Sequence, residues 1–141
     1  MFFLNLRDFG RCIGITFVDS AMIPVCHNLR RYANKVFKGI ATDGKGTMGW
    51  CHGFKLHLAC NDRMEIIAFV LIGANVSDKN LKVFEILAKR LYGKLFADKG
   101  YISQKLSGSL FEDGIQLVSG LRVNMKNKLK PFYAKMMLRK R

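Results

Sequence analysis

Apolar residues recur along this chain first at the spacing of strands and then at the spacing of helices. Residues 14–19, Gly-Ile-Thr-Phe-Val-Asp, join β-branched and aromatic side chains and end on a carboxylate, which predicts a first strand with Asp19 at its C-terminal end. Residues 49–61 alternate, with His52, Phe54, Leu56 and Leu58 on one side and Cys51, Lys55, His57 and Ala59 on the other, the pattern of a half-buried second strand. Asn61, Asp62 and Arg63 supply turn chemistry, and residues 64–72 form a third strand that closes an antiparallel hairpin.

The period then changes. Leu81, Phe84, Leu87 and Leu91 predict a helix over about residues 80–92, capped by Asp78 or Asn80 and stopped at Gly93. Residues 94–98 read as a short strand, Lys99-Gly100-Tyr101 as a tight turn, residues 103–114 as a second helix capped by Ser103, and residues 115–120 as a fifth strand. Three strands, helix, strand, helix, strand describes an α/β sandwich on a mixed sheet. Residues 24–49 show no convincing period and read as a long basic loop carrying Arg30, Arg31, Lys35, Lys38 and Lys45.

The 141 residues suit one domain, and 50% hydrophobic with 24% charged residues excludes global disorder. Charge narrows the field of partners. A net charge of +14 exceeds what solubility requires and points to a polyanion, nucleic acid first. The segment 121–141 is a basic tail without an acid, carrying Arg122, Lys126 and Lys128 among others. Its Met125, Met136, Met137 and Leu138 suggest a helix short of a packing partner. The amino terminus lacks a secretory leader, and the apolar run 66–72 is too short to cross a bilayer. The expectation is a soluble cytoplasmic protein with no membrane partner, associated with the nucleoid when on DNA. Cys12, Cys26, Cys51 and Cys60 show no CxxC spacing and read as small reduced core residues.

The element order matches an RNase H-like fold, in which the first and fourth strands lie together at the centre of the sheet and each presents a carboxylate. Asp19 and Asp98 occupy those two places. Around them stand Phe17-Val18-Asp19-Ser20, the run Val36-Phe37-Lys38-Gly39-Ile40-Ala41, Met48-Gly49-Trp50, Gly53-Phe54-Lys55-Leu56-His57-Leu58 and Phe96-Ala97-Asp98-Lys99-Gly100-Tyr101. In this order, over roughly residues 14–141, the chain resembles bacterial insertion-sequence transposases of the DDE class.

The resemblance implies that Asp19 and Asp98 are two of three acids that hold a pair of divalent metals, Mg2+ or Mn2+, for cleavage and strand transfer at the ends of the element. It implies DNA ends and target DNA as partners, with a homodimer or an intact transposase as a further one. The third acid of such proteins is a glutamate on a helix after the fifth strand, and residues 121–141 contain no acid. The expectation is therefore a single, partial catalytic domain over 1–141, lacking the final acid-bearing helix and inactive alone, like the middle fragment of a longer protein. Lys38, Lys45, Lys55, His57, Lys99, Arg122, Lys126 and Lys128 are the candidate DNA contacts, and Trp50 or Tyr101 a platform for an extruded base.

Plainer readings stand beside these. An aspartate at a strand end often only opens a turn. Lys55 and His57 could reach a phosphate or belong to an ordinary polar sheet face. Cys51, His52, His57 and Cys60 have the residue types for zinc, but alternation turns Cys60 away from Cys51 and His57. A non-catalytic DNA-binding or dominant-negative fragment and an RNA-binding structural protein are the competing functions. The latter would tolerate Ala at both Asp19 and Asp98.

Overall fold

The computed structural model describes residues 9–46, 49–120 and 131–140. Its strands are β1 (Ile15–Cys26), β2 (Thr42–Gly46), β3 (Gly49–Asn61), β4 (Ile66–Gly73), β5 (Gly93–Ala97) and β6 (Ile115–Ser119). The helices are α1 (Leu81–Ala88), α2 (Gln104–Glu112) and α3 (Phe132–Lys140). The sheet runs β2-β3-β1-β5-β6, and β4 also pairs with β3, so β2 and β4 share one flank of that long strand. Pairs β1–β3, β2–β3 and β3–β4 are antiparallel, whereas β1–β5 and β5–β6 are parallel. The result is the mixed α/β sheet expected from the element order, with the first strand and the strand before Asp98 paired at its centre.

Two expectations need correction. The first strand does not end at Asp19 but continues to Cys26, because Ser20 to Cys26 stay paired with β3 as far as His52. The segment read as a loop over 24–49 contains a short 3-10 turn at Asn28–Arg30 and the strand β2. Thr42 to Gly46 lack the apolar alternation that marks a strand, since this edge is held by backbone pairing to Gly49 through Gly53. Gly53 is needed where β1 crosses it, because a Cβ there would come 2.1 Å from the Ile23 carbonyl oxygen. The register of β1 and β3 shifts at the same point, between Pro24 and Cys26, as expected where proline removes a ladder donor.

Alternation sorts the core into two layers. Val18, Ala59, Leu95, Ala97 and Ile115 face one side, where Phe84 and Leu87 of α1 and Leu106 and Leu110 of α2 cover them. Phe17 and Phe96 face the other side and form a second cluster with Met137 of α3. The tail helix therefore has a packing partner, contrary to expectation. It carries no acid, in keeping with the sequence. Among the described residues no helix is long and apolar enough to cross a membrane.

The predicted turn chemistry is visible in detail. Asn61 Oδ1 accepts from the amides of Arg63 and Glu65, which shapes the β3–β4 hairpin. Asn80 caps α1 by accepting from the Lys82 amide, and Ser103 caps α2 by accepting from the Leu106 amide. Because Asn80 is the cap, Asp78 is released for another task.

Candidate active site

Val18 and Ala97 form the last pair of the parallel β1–β5 ladder. Asp19 and Asp98 each follow that pair by one residue, Asp19 within β1 and Asp98 just past the end of β5, and strands so paired lie ~4.8 Å apart. The alternation that turns Phe17 and Phe96 toward α3 turns the two aspartates to the same side, and both are exposed. Asp19 Oδ1 accepts from the Ser20 amide at 2.9 Å, which sets the orientation of its carboxylate. Asp98 begins the 3-10 turn Lys99–Tyr101 without capping it through its side chain.

Two exposed carboxylates on adjacent strands are hard oxygen donors suited to a divalent cation such as Mg2+. Among the described residues no group of three His, Cys, Asp or Glu converges on one point, so the pair has no third acid there and the zinc alternative has no ligand set. Glu85, Glu112 and Asp113 are exposed on the helices of the opposite layer. Along α3, the ring of Tyr133 lies 5.9 Å from Lys94 Nζ, and Met137 packs with Phe96. The helix thus advances along β5 in the direction of Asp98.

Behind the pair, on the α1 and α2 side, lies a polar cluster in the core. His57 is fully buried, with Nδ1 3.1 Å from the hydroxyl of Tyr101. Lys55 Nζ lies 3.0 Å from Asp78 Oδ1 and donates to the Val76 carbonyl at 2.7 Å. Ser20 Oγ donates to the same Asp78 oxygen at 3.2 Å. Burial holds the His57 imidazole below its usual pKa, Asp78 pulls it upward and Lys55 pushes it down, so the ring is neutral at physiological pH.

This corrects two of the candidate DNA contacts. Lys55 and His57 do share a face, as alternation requires, but it is the face beneath the helices, where Lys55 is engaged by Asp78 and His57 by Tyr101. Tyr101 is likewise buried and offers no stacking surface, whereas Trp50 is 62% exposed. An open groove of about 790 Å³ runs from Ser20 along Met22 and Pro24 to Trp50. Lys38, Lys45 and Lys99 are exposed, the stem of Lys99 lying close to Gly120. Arg122, Lys126 and Lys128 lie outside the described residues. His52 is bound to Asp43 at 2.7 Å, and burial raises the thiols of Cys51 and Cys60 above their usual range.

Residues 9–141 match the family described as the transposase DDE domain. The chain belongs to that family. No curated protein sequence matches it. Among solved structures it resembles the piggyBac transposase, seen by cryo-electron microscopy in a synaptic complex with hairpin DNA, with a TM-score of 0.53 at 13% identity. The alignment covers 82% of this chain and 24% of that one, so the likeness is one of fold and the chain spans about a quarter of that transposase. Among the described residues, Asp19 and Asp98 are the one pair of acids placed at the end of a parallel ladder.

Proposed function

We propose that this domain serves DNA cleavage and strand transfer at the ends of an insertion sequence, with Asp19 and Asp98 as two ligands of the catalytic divalent metals. The observation that carries the reading is their position one step past Val18 and Ala97, on adjacent parallel strands and on one face. Magnesium or manganese held there would stabilise the charge that develops on the attacking and leaving oxygens of a phosphodiester. The chain's own part is to aim two carboxylates at that point and to bind the DNA backbone around it.

Two carboxylates alone hold a metal weakly, so binding is expected to be measurable before turnover. A further acid, presented where α3 advances toward Asp98, would complete the set. DNA as partner is supported by the net charge of +14 and by exposed Lys38 and Lys45. The same charge supports DNA binding without turnover as a second reading.

Manganese binding followed by electron paramagnetic resonance tests the first. Wild type should bind, and Asp19→Asn and Asp98→Asn should each weaken binding by about tenfold or more. Unchanged affinity in both folded variants would sink the metal-site assignment. It would leave the DNA-binding reading in place.

A further inference from the structure

Asp78 has no part in the proposed chemistry, yet it sits where three elements meet. Its Oδ1 receives Ser20 Oγ at 3.2 Å and Lys55 Nζ at 3.0 Å, and the Nε2 of His57 is 4.0 Å away. Its other oxygen faces the turn that follows Asp98, since a Cβ built on Gly100 would lie 3.7 Å from Oδ2. Lys55 is only 9% exposed, and its ammonium is shared between Asp78 and the Val76 carbonyl. A lysine this deep is retained at a cost unless its charge is paired.

The partners of this cluster are the immediate neighbours of the two strand-end acids. Ser20 follows Asp19 directly, and Tyr101 closes the turn that Asp98 opens, donating its own N–H to the Asp98 carbonyl at 3.0 Å. Ser20 pairs with His57 across the β1–β3 ladder, and His57 in turn meets the Tyr101 hydroxyl. The Asp19 strand and the Asp98 turn are thereby tied to the same two residues of β3, Lys55 and His57, from the face opposite the acids. The parallel ladder itself has ended at Val18 and Ala97, so nothing in the ladder pairs residue 19 with residue 98.

We infer that Asp78 is a positioning residue. With Lys55, Ser20 and the His57–Tyr101 pair it forms a polar clamp that fixes Asp98 relative to Asp19 beyond the end of the β1–β5 ladder. The inference rests on the reading of Asp19 and Asp98 as metal ligands. Ligands carried past the end of a ladder scatter unless supporting hydrogen bonds fix them, and removing such support commonly weakens metal affinity by about 10–100-fold.

The test uses the 141-residue chain and the double variant Asp78→Asn with Lys55→Met, which leaves no buried charge without its partner. Amide hydrogen exchange should quicken in the peptide spanning residues 97–102 while α2 and β6 keep their protection. The dissociation constant for Mn2+ should rise by about tenfold. The single variant Ser20→Ala, which retains the ion pair, should give a smaller shift in the same direction. A folded double variant with wild-type exchange at 97–102 and wild-type Mn2+ affinity would overturn the clamp. If Asp19→Asn and Asp98→Asn both leave Mn2+ binding unchanged, the metal-site reading fails instead, and exchange at 97–102 alone decides the clamp.

Discussion

Asp19 and Asp98 stand next to each other on parallel strands with no ladder pair between them, both exposed and both turned to the side of the sheet covered by α3. Like charges directly opposed on a sheet destabilise it by roughly 0.2–1 kcal/mol. On the metal-site reading, a bound cation would offset such repulsion. Asp19→Asn keeps the side-chain oxygen that accepts from the Ser20 amide and removes the repulsion. It should raise the urea midpoint of the metal-free chain slightly and abolish the stabilisation that Mn2+ gives to wild type. A metal-free variant less stable than wild type would show that the pair is not in mutual repulsion.

Met137 fixes the tail helix. It is 9% exposed in the cluster with Phe17 and Phe96, while its neighbour Met136 is 48% exposed. Met137→Ala should cost about 2–3 kcal/mol, toward the low end for buried methionine because the helix lies at an edge of the core. Met136→Ala should stay within about 0.5 kcal/mol. Equal effects at the two positions in urea unfolding would mean that α3 does not dock by this face.

The parts of the fold written in local periodicity are legible from the sequence. These are the 49–61 hairpin strand, the helices on Leu81 and Leu106, and the strand leading to Asp98. What stays hidden depends on partners distant in the chain. The continuation of β1 from Ser20 to Cys26 and the strand β2 exist because β3 offers a long backbone edge, and neither segment has a strand's apolar rhythm. The roles of Lys55 and His57 are illegible because the polar face of an alternating strand normally meets water. Here the polar face is the inner one, buried on the side that α1 and α2 cover. The available signal is Asp78: with Asn80 able to cap α1, an unassigned acid remains in the loop beside the only lysine on that strand.

Lys38 is exposed in a stretch of chain that is acid-free from Ser20 to Thr42, and Lys45 is exposed on β2, two residues beyond Asp43. If they follow a DNA backbone, replacing both with Ala should lower the salt dependence of duplex binding by about 0.9 in log–log slope for each phosphate that the variant leaves unneutralised. Lys82 on α1 and Lys89 at its C-terminal cap, both exposed, provide the control pair. Filter binding across salt concentrations reads both. An equal reduction from the two pairs would indicate diffuse attraction by net charge rather than a track past Trp50.

His57 should give the fold a pH dependence of known sign. Burial lowers its pKa from the ordinary 6.5, against the upward pull of Asp78. Below 6.5 the unfolded chain then binds a proton that the folded chain resists, so unfolding becomes more favourable as pH falls through that window. Above it both states are neutral at this site and the contribution is flat. Wild type should therefore lose stability between about pH 7 and the lowered folded value. His57→Gln, which retains a partner for the Tyr101 hydroxyl and cannot titrate, should lose less over the same range. Urea midpoints measured for both proteins isolate the difference, because every other titrating group is common to them. Parallel profiles would mean that His57 carries the same charge in the folded and unfolded chains throughout this range. A wild type that instead loses stability as pH rises past 6.5 would mean that Asp78 holds the ring protonated in the core.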